Sequence, residues 1–462
     1  MTSTDSVMAL IIILVLRLPI FAQESPSPPL TIQQAVASAI QNYPAVRVSQ
    51  EQINAAAAAI DLARTAYIPR IDSIVQVNRA TRNNVFGILL PQGVLPSMSG
   101  PVIGTNNFGT VWGSAVGGLV TWEPFDFGLR GANVSVARAS RARAETMLER
   151  TQFDVSVATA DAYLTLLAAQ ATVSAAQAGV DRSDVLLRSV RALTDAQLRP
   201  GADASRAEAE LAFARTQLAQ AQEAAEVATA VLSQFVGIQP AQLAVSAPNL
   251  LQLPLEQTAP AFDTARNPIT VEQSALIQQK RAELNALEKS YVPRFTAQAA
   301  AYARGTGANL DGTRQTGLNG LAPDTQNYAF GFTITFPLMD FASVHAREAE
   351  QSATLRAETA RYEQMTTDLT AQWDAAQSAL AGSRSVAANT PVQRSSAAAA
   401  VQQATARYQS GLGTVVEVAD AQRLLTQAEI DDSLARLNIW RSLLHVATVS
   451  GDIHPFLTEA SR

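Results

Sequence analysis

The sequence predicts a mainly α-helical chain with a membrane β part. Long coiled-coil helices form a helical barrel, and four β-strands per subunit contribute to a trimeric twelve-stranded β-barrel. Three observations carry this prediction. Apolar residues repeat with a 3.5-residue period over long stretches, in which alanine takes half the seam positions. Short segments of strict two-residue alternation interrupt the helical pattern. Both signals occur twice, in the same order, so the chain reads as an internal duplication.

The helical pattern is clearest at Leu211, Ala214, Leu218, Ala221, Ala225, Ala228, Leu232 and Phe235, spaced alternately by three and four. Phe153, Val157, Ala160, Leu164, Leu167 and Ala171 repeat it, and Leu434, Leu437, Trp440, Leu444 and Ala447 follow it approximately. A sustained period of 3.5 imposes left-handed supercoiling, and alanine in the seam allows backbones to approach closely. The stretch from Asp126 to Arg199, if nearly continuous, would rise roughly 110 Å, far beyond a globular helix.

Strand signals lie at about 70–78 and 108–122 in the first half and at about 294–302 and 328–336 in the second. In the last, Tyr328, Phe330, Phe332, Ile334 and Phe336 share one parity, while Ala329, Gly331, Thr333 and Thr335 share the other. Phe108, Trp112, Val116, Val120 and Trp122 alternate more loosely. Such segments have one apolar face and one small or polar face. The loops between them, 79–107 and 303–326, are rich in Gly, Asn, Pro and Thr and are expected to face the cell exterior. Four strands cannot close a barrel alone. Two copies would give eight strands around a filled interior, whereas three would give twelve and leave a lumen.

The duplication has three landmarks. Tyr67-Ile68-Pro69 returns as Tyr291-Val292-Pro293, each ending a helix where proline turns the chain towards extended structure. Pro124-Phe125-Asp126-Phe127 returns as Pro337-Leu338-Met339-Asp340-Phe341, where Asp126 and Asp340 are candidate N-caps at the junction between barrel and helices. A glycine turn at Arg199-Pro200-Gly201 in the first half pairs with Gly411-Leu412-Gly413 in the second, each folding a long helix into a hairpin. The expected organisation is a first repeat at 23–246, with its helical hairpin at 126–236, and a second at 247–453, with its hairpin at 340–450. A tail at 454–462 follows.

The 462-residue chain has a net charge of −6, only two lysines, no cysteine and three isolated histidines. This composition argues against nucleic-acid binding and removes disulfides, thiolate metal sites and a cysteine nucleophile. No phosphate-binding loop, serine-hydrolase or zinc-protease motif is present, so neither an enzyme nor a cofactor is expected. The apolar run from Met8 to Leu16 has the length of a signal-peptide core, with cleavage after Ala22. Asp5 and Ile20 depart from the signal-peptide pattern, which leaves a buried N-terminal helix as the alternative. No other stretch is long and apolar enough to span a membrane as a helix, so spanning must be by strands.

The chain resembles the TolC-like outer-membrane efflux protein family over residues 30–453. The resemblance rests on the opening Leu30-Thr31-Ile32-Gln33-Gln34-Ala35-Val36, on Asn42-Tyr43-Pro44, on the duplicated landmarks, and above all on the stretch from Ala406 through Tyr408-Gln409-Ser410-Gly411 to Gln422. It implies a homotrimer in outer-membrane lipid, a helical tunnel in the periplasm, and docking to a periplasmic adaptor of an inner-membrane pump. The adaptor would meet the hairpin tips, at Pro200, Gly201, Gly411 and Gly413. Glu417 and Asp420 match the family's aperture acids, three residues apart on one helical face, and would form cation-attracting rings in a trimer. Tyr408 matches a tyrosine that ties the closed entrance. Gly413 stands where the best-known member has an arginine in that tie, so this link is expected to be missing. A non-conducting periplasmic coiled-coil scaffold is the rival reading, although it does not explain the aromatic alternation at 328–336.

Overall fold

The computed structural model describes residues 29–81, 109–254, 262–309, 313–337 and 339–461. The signal-peptide reading at 1–22, Phe108, Leu338 and most of the 79–107 loop lie outside these residues. Two helices, α1 (Ile32–Asn42) and α2 (Pro44–Thr65), lead into strands β1 (Arg70–Thr81) and β2 (Thr110–Phe125). The hairpin of α3 (Leu129–Asp195) and α4 (Gly201–Val236) follows. The same order returns as α5 (Pro268–Glu288), β3 (Arg294–Thr306), β4 (Thr325–Thr335), α6 (Phe341–Gln409) and α7 (Val415–Ser450), and a short α8 (His454–Ala460) closes the chain. The long helices α3 and α6 have 67 and 69 residues, and each extends roughly 100 Å.

All four strands run longer than their sequence signals. They form one antiparallel sheet in the order β1-β2-β3-β4. Its register puts Ile71, Val120, Ala299 and Phe330 on one rung, and hence on one face. Tyr328, Phe330 and Val75 on that face are 90%, 77% and 77% exposed in the single chain. On the other face a rung carries Gln76, Ala115, Arg304 and Thr325. The sheet therefore has an apolar outer surface and an inner one bearing polar side chains, as in the wall of a water-filled barrel. Strands β1 and β4 are both free edges, and each presents an unpaired row of backbone donors and acceptors that lipid could not satisfy. Among the described residues, no helix is long and apolar enough to cross a membrane.

The helices meet along seams of the predicted period. All eight heptad positions of α4 from Leu211 to Phe235 are buried or half-buried. In α3 the burial is wider, because its middle packs against α1, α2, α4, α5 and α7 together. Around that middle lies the main apolar core, which includes Ile32, Leu164, Leu232, Trp440 and Phe456. The chain wraps this level twice: Leu30 pairs with Val245, and Tyr163, fully buried, donates its hydroxyl to the Leu30 carbonyl at 2.8 Å. Burial pushes the Tyr163 pKa up to about 12, against a lesser opposing influence of the Ser246 backbone.

Candidate functional site: hairpin tips and barrel junction

The two helical hairpins turn by the same device. At the end of α6, Leu412 N–H donates to Arg407 O at 2.8 Å and Gly411 N–H to Tyr408 O at 3.1 Å, with Gly411 at φ +77°. At the end of α3, Leu198 N–H donates to Leu193 O at 2.9 Å and Gln197 N–H to Thr194 O at 2.9 Å, with Gln197 at φ +58°. Both are Schellman caps, which need one left-handed residue. The structural counterpart of Gly411 is thus Gln197. Gly201 was expected in that role but is the first residue of α4, without a positive φ and with open space where a Cβ would stand. Pro200, extended at φ −65° and ψ 145°, caps α4 without a side-chain bond, and Thr414 holds the matching place before α7, accepting from Glu417 N–H at 3.3 Å. Leu198 and Leu412, both mostly exposed, occupy equivalent positions.

This correspondence places Arg199 opposite Gly413. Gly413 is closely approached, since a Cβ there would stand 3.2 Å from Arg407 Cβ, Glu417 Oε2 and Tyr408 N. Arg199 reaches across instead: its guanidinium lies 4.6 Å from the centre of the Tyr408 ring and donates to the Tyr408 carbonyl at 2.7 Å. The Tyr408 hydroxyl faces Asp203 Oδ2 at 3.5 Å. Burial raises the Tyr408 pKa, the Asp203 charge adds to this and Arg199 opposes it. Tyr408 thus meets an arginine of the other hairpin, with none at position 413 of its own.

Of the two candidate aperture acids, Glu417 lies 3.6 Å from Arg407 Nε, and Thr414 Oγ1 also donates to it at 3.3 Å. Asp420 is exposed and forms no ion pair among the described residues. Above the tip, α7 is tied to the first hairpin by two further ion pairs. Arg423 grips Glu210 at 2.7 Å, and Arg182 grips Glu429 at 2.8 Å and Thr426 Oγ1 at 2.8 Å.

At the opposite end, the two candidate caps differ, and Asp126, expected as the N-cap of α3, stands two residues before the actual N-cap, Gly128. Asp126 accepts from the backbone N–H groups of Gly128 and Arg130 and pairs with the Arg130 guanidinium at 3.0 Å. Arg130 is itself buried, donates to the carbonyls of Ala66 and Pro124, and lies 4.7 Å from the Tyr67 ring centre. Burial acts to raise the Asp126 pKa, but the hydrogen bonds and charge of Arg130 and the Gly128 amide outweigh it and lower the value. Asp340 makes no side-chain cap bond, contrary to expectation. Its backbone is already helical at φ −78° and ψ −11°, so it lacks the extended geometry that aims a cap oxygen at the first turn. The second copy has one more residue here, Met339, and its helix starts differently. Sequence reasoning assigned no role to Arg130, Asp203 or Arg407, and to Arg199 only a place in the turn. The offset between the two tips was the signal that could have found Arg199.

Residues 35–238 and 264–452 match a family model described as outer membrane efflux protein. The chain belongs to that family. Its fold is similar to that of the outer-membrane channel OprN, with 21% identity and a TM-score of 0.71 over 92% of this chain and 93% of the other. It is also similar to the CmeC outer membrane channel of Campylobacter jejuni, at 14% identity and a TM-score of 0.71 over 93% and 89%. The third likeness is to the MtrE outer membrane channel of Neisseria gonorrhoeae in an open state, at 17% identity and 0.69 over 91% and 89%. No curated protein sequence matches the chain significantly. This outer membrane efflux protein is a duct subunit with a TolC-like fold. The scaffold reading is not favoured, since it leaves a membrane-type strand wall without a use. Among the described residues, no cluster of side chains is placed to hold a metal ion.

Proposed function

We propose that three copies close a twelve-stranded barrel, β4 of each pairing with β1 of the next, and that the joined helices form a passive exit duct fed by a periplasmic adaptor and an inner-membrane pump. The observation that carries this reading is the four-stranded sheet, open at both edges and apolar on one face. Within the duct, the far ends of the hairpins serve as the periplasmic entrance. Tyr408, held by Arg199 and Asp203, keeps the second hairpin against the first in the closed state.

Glu417 and Asp420 set the charge of that entrance, but unequally. Arg407 beside Glu417 offsets part of its field, whereas Asp420 has no ion partner among the described residues. In planar bilayers, Asp420→Asn should reduce cation selectivity and block by multivalent cations more than Glu417→Gln does, and Arg407→Ala should increase both. Unchanged selectivity in an intact Glu417→Ala, Asp420→Ala double-mutant trimer would remove these carboxylates from the aperture.

Docking to the adaptor involves the tips, where the exposed Leu198 and Leu412 stand at equivalent positions. Gly201 offers the cleaner test because a side chain there meets open space, whereas at Gly411 any L-residue would be strained by the positive φ. Gly201→Trp is expected to leave trimer yield unchanged and to lower efflux in cells at least about tenfold, a loss of about 1.4 kcal/mol in docking. Full efflux in this variant would exclude that tip from the contact.

A further inference from the structure

The seam between α6 and α7 is not continuous. Two apolar clusters line it. One joins Leu369, Ala376, Leu380 and Ala387 to Ala435, Ile439 and Val446 of α7, and the other joins Ala397 to Leu425 and Ala428. Between them the 3.5-residue repeat continues but changes chemistry: Thr390 and Arg394 take the α6 seam positions and Asp432 the α7 position. Asp432 is 2% exposed, its Oδ1 accepts from Thr390 Oγ1 at 3.0 Å, and its Oδ2 pairs with Arg394 at 3.2 Å and Arg436 at 3.1 Å.

The same layer holds Pro391, which lies inside α6. A proline there has no N–H for the Ala387 carbonyl and its ring crowds that carbonyl, so the helix is weakened at this level. Residues 391–396 are all exposed, six in succession in a helix whose seam elsewhere is buried or half-buried every three or four positions. Helix ladder and apolar seam therefore fail together, and the gap is bridged by the buried Asp432 carboxylate and, at its exposed edge, by Gln393 Nε2 donating to Asp431 at 3.4 Å. Below it, residues 397–430 carry the hairpin tip and the ties of Glu429, Arg423 and Tyr408 to the first hairpin.

We infer that Pro391 and Asp432 form a hinge in the second hairpin, about which the segment from about 392 to 430 swings as a unit, with Asp432 as the pin that keeps the two arms in register. A buried ionic layer suits this role. It contributes less stability than an apolar layer would, yet it specifies one alignment, since a shift of either helix would strand a desolvated charge. Thr390 contacts the carboxylate from the upper arm and Arg394 from the lower, so the pin spans the proline. The consequence for gating rests on the tip being the entrance; the hinge itself does not.

The protein has no cysteine, so introduced cysteines report without background. In detergent-solubilised trimers of the full chain, amides at 392–396 and 429–434 should exchange hydrogen about tenfold or more faster than those at 376–387 and 397–404. Pro391→Ala should abolish most of that difference. Spin labels at Ala202→Cys and Ser410→Cys report the spacing of the two tips. Their distance distribution should narrow in Pro391→Ala and broaden in Asp432→Asn, while labels at Gln372→Cys and His445→Cys, above the hinge, keep theirs. Uniform exchange along α6 in the wild type, or a Pro391→Ala trimer unchanged in both exchange and tip distances, would overturn the hinge. If Asp432→Asn does not assemble, Pro391→Ala decides alone. A purely register-setting layer would instead alter the upper and lower label pairs alike. Bilayer currents separate the two readings: altered exchange and tip distances with unchanged open probability would keep the hinge and reject the tip as entrance.

Discussion

Phe330→Arg is expected to keep the chain from assembling in the outer membrane. Phe330 stands midway along β4 on the apolar face, with Ala299 opposite it and 77% of its surface exposed in the single chain. An arginine at the bilayer midplane costs about 2–4 kcal/mol, and a closed trimer would carry it three times. Placing the same residue at Ala329, which points to the other face, should be tolerated better. Outer-membrane fractionation with heat-modifiable gel mobility would show the difference. Equal trimer yield from both substitutions would mean that the apolar face does not meet lipid.

Asp126→Ala should be the most damaging single change outside the sheet. It removes the two carboxylate oxygens, each of which accepts from a backbone amide, and leaves Arg130, which is 7% exposed, without its counter-charge. Breaking a buried pair in this way costs about 3–5 kcal/mol, because the remaining charge stays desolvated. Phe127 and Gly128, at φ +49° and +96°, connect strand to helix beside this pair, and a non-glycine residue at positive φ persists only where its surroundings hold it. The folded-state pKa of Asp126 is lowered, so its contribution is present above the unfolded value of about 3.9 and is lost as pH falls through the folded value. The wild-type advantage in trimer melting over Asp126→Ala should therefore be full at neutral pH and shrink below about pH 4. Arg130→Met, which removes the cation and keeps an apolar stem, should be milder. A neutral Asp126→Ala at pH 7 would refute the pairing's structural role.

Periodicity made much of the fold legible. A seam such as Leu211 to Phe235 records which residues face a neighbour, and the parity of Tyr328 to Phe336 records which face of a strand is apolar, because both repeats follow from backbone geometry alone. The duplicated landmarks supplied the order of the elements. Local motifs were less reliable where two residue types can do one job. Gly201 resembled the partner of Gly411, but Gln197 accepts the left-handed conformation that the Schellman cap requires, and the glycine signal misled the alignment of the tips.

The sequence by itself determined the helix and strand faces and the repeat, since each is a property of residues close together in the chain. Tertiary structure alone decided which groups share a site. Arg199 and Tyr408 are 209 positions apart, and so is no pair that spacing could reveal. The same holds for Arg423 with Glu210 and for Arg182 with Glu429. These contacts depend on how two hairpins of equal build lie against each other, and a buried charge finds its partner across that contact because the alternative is an unpaired ion out of water.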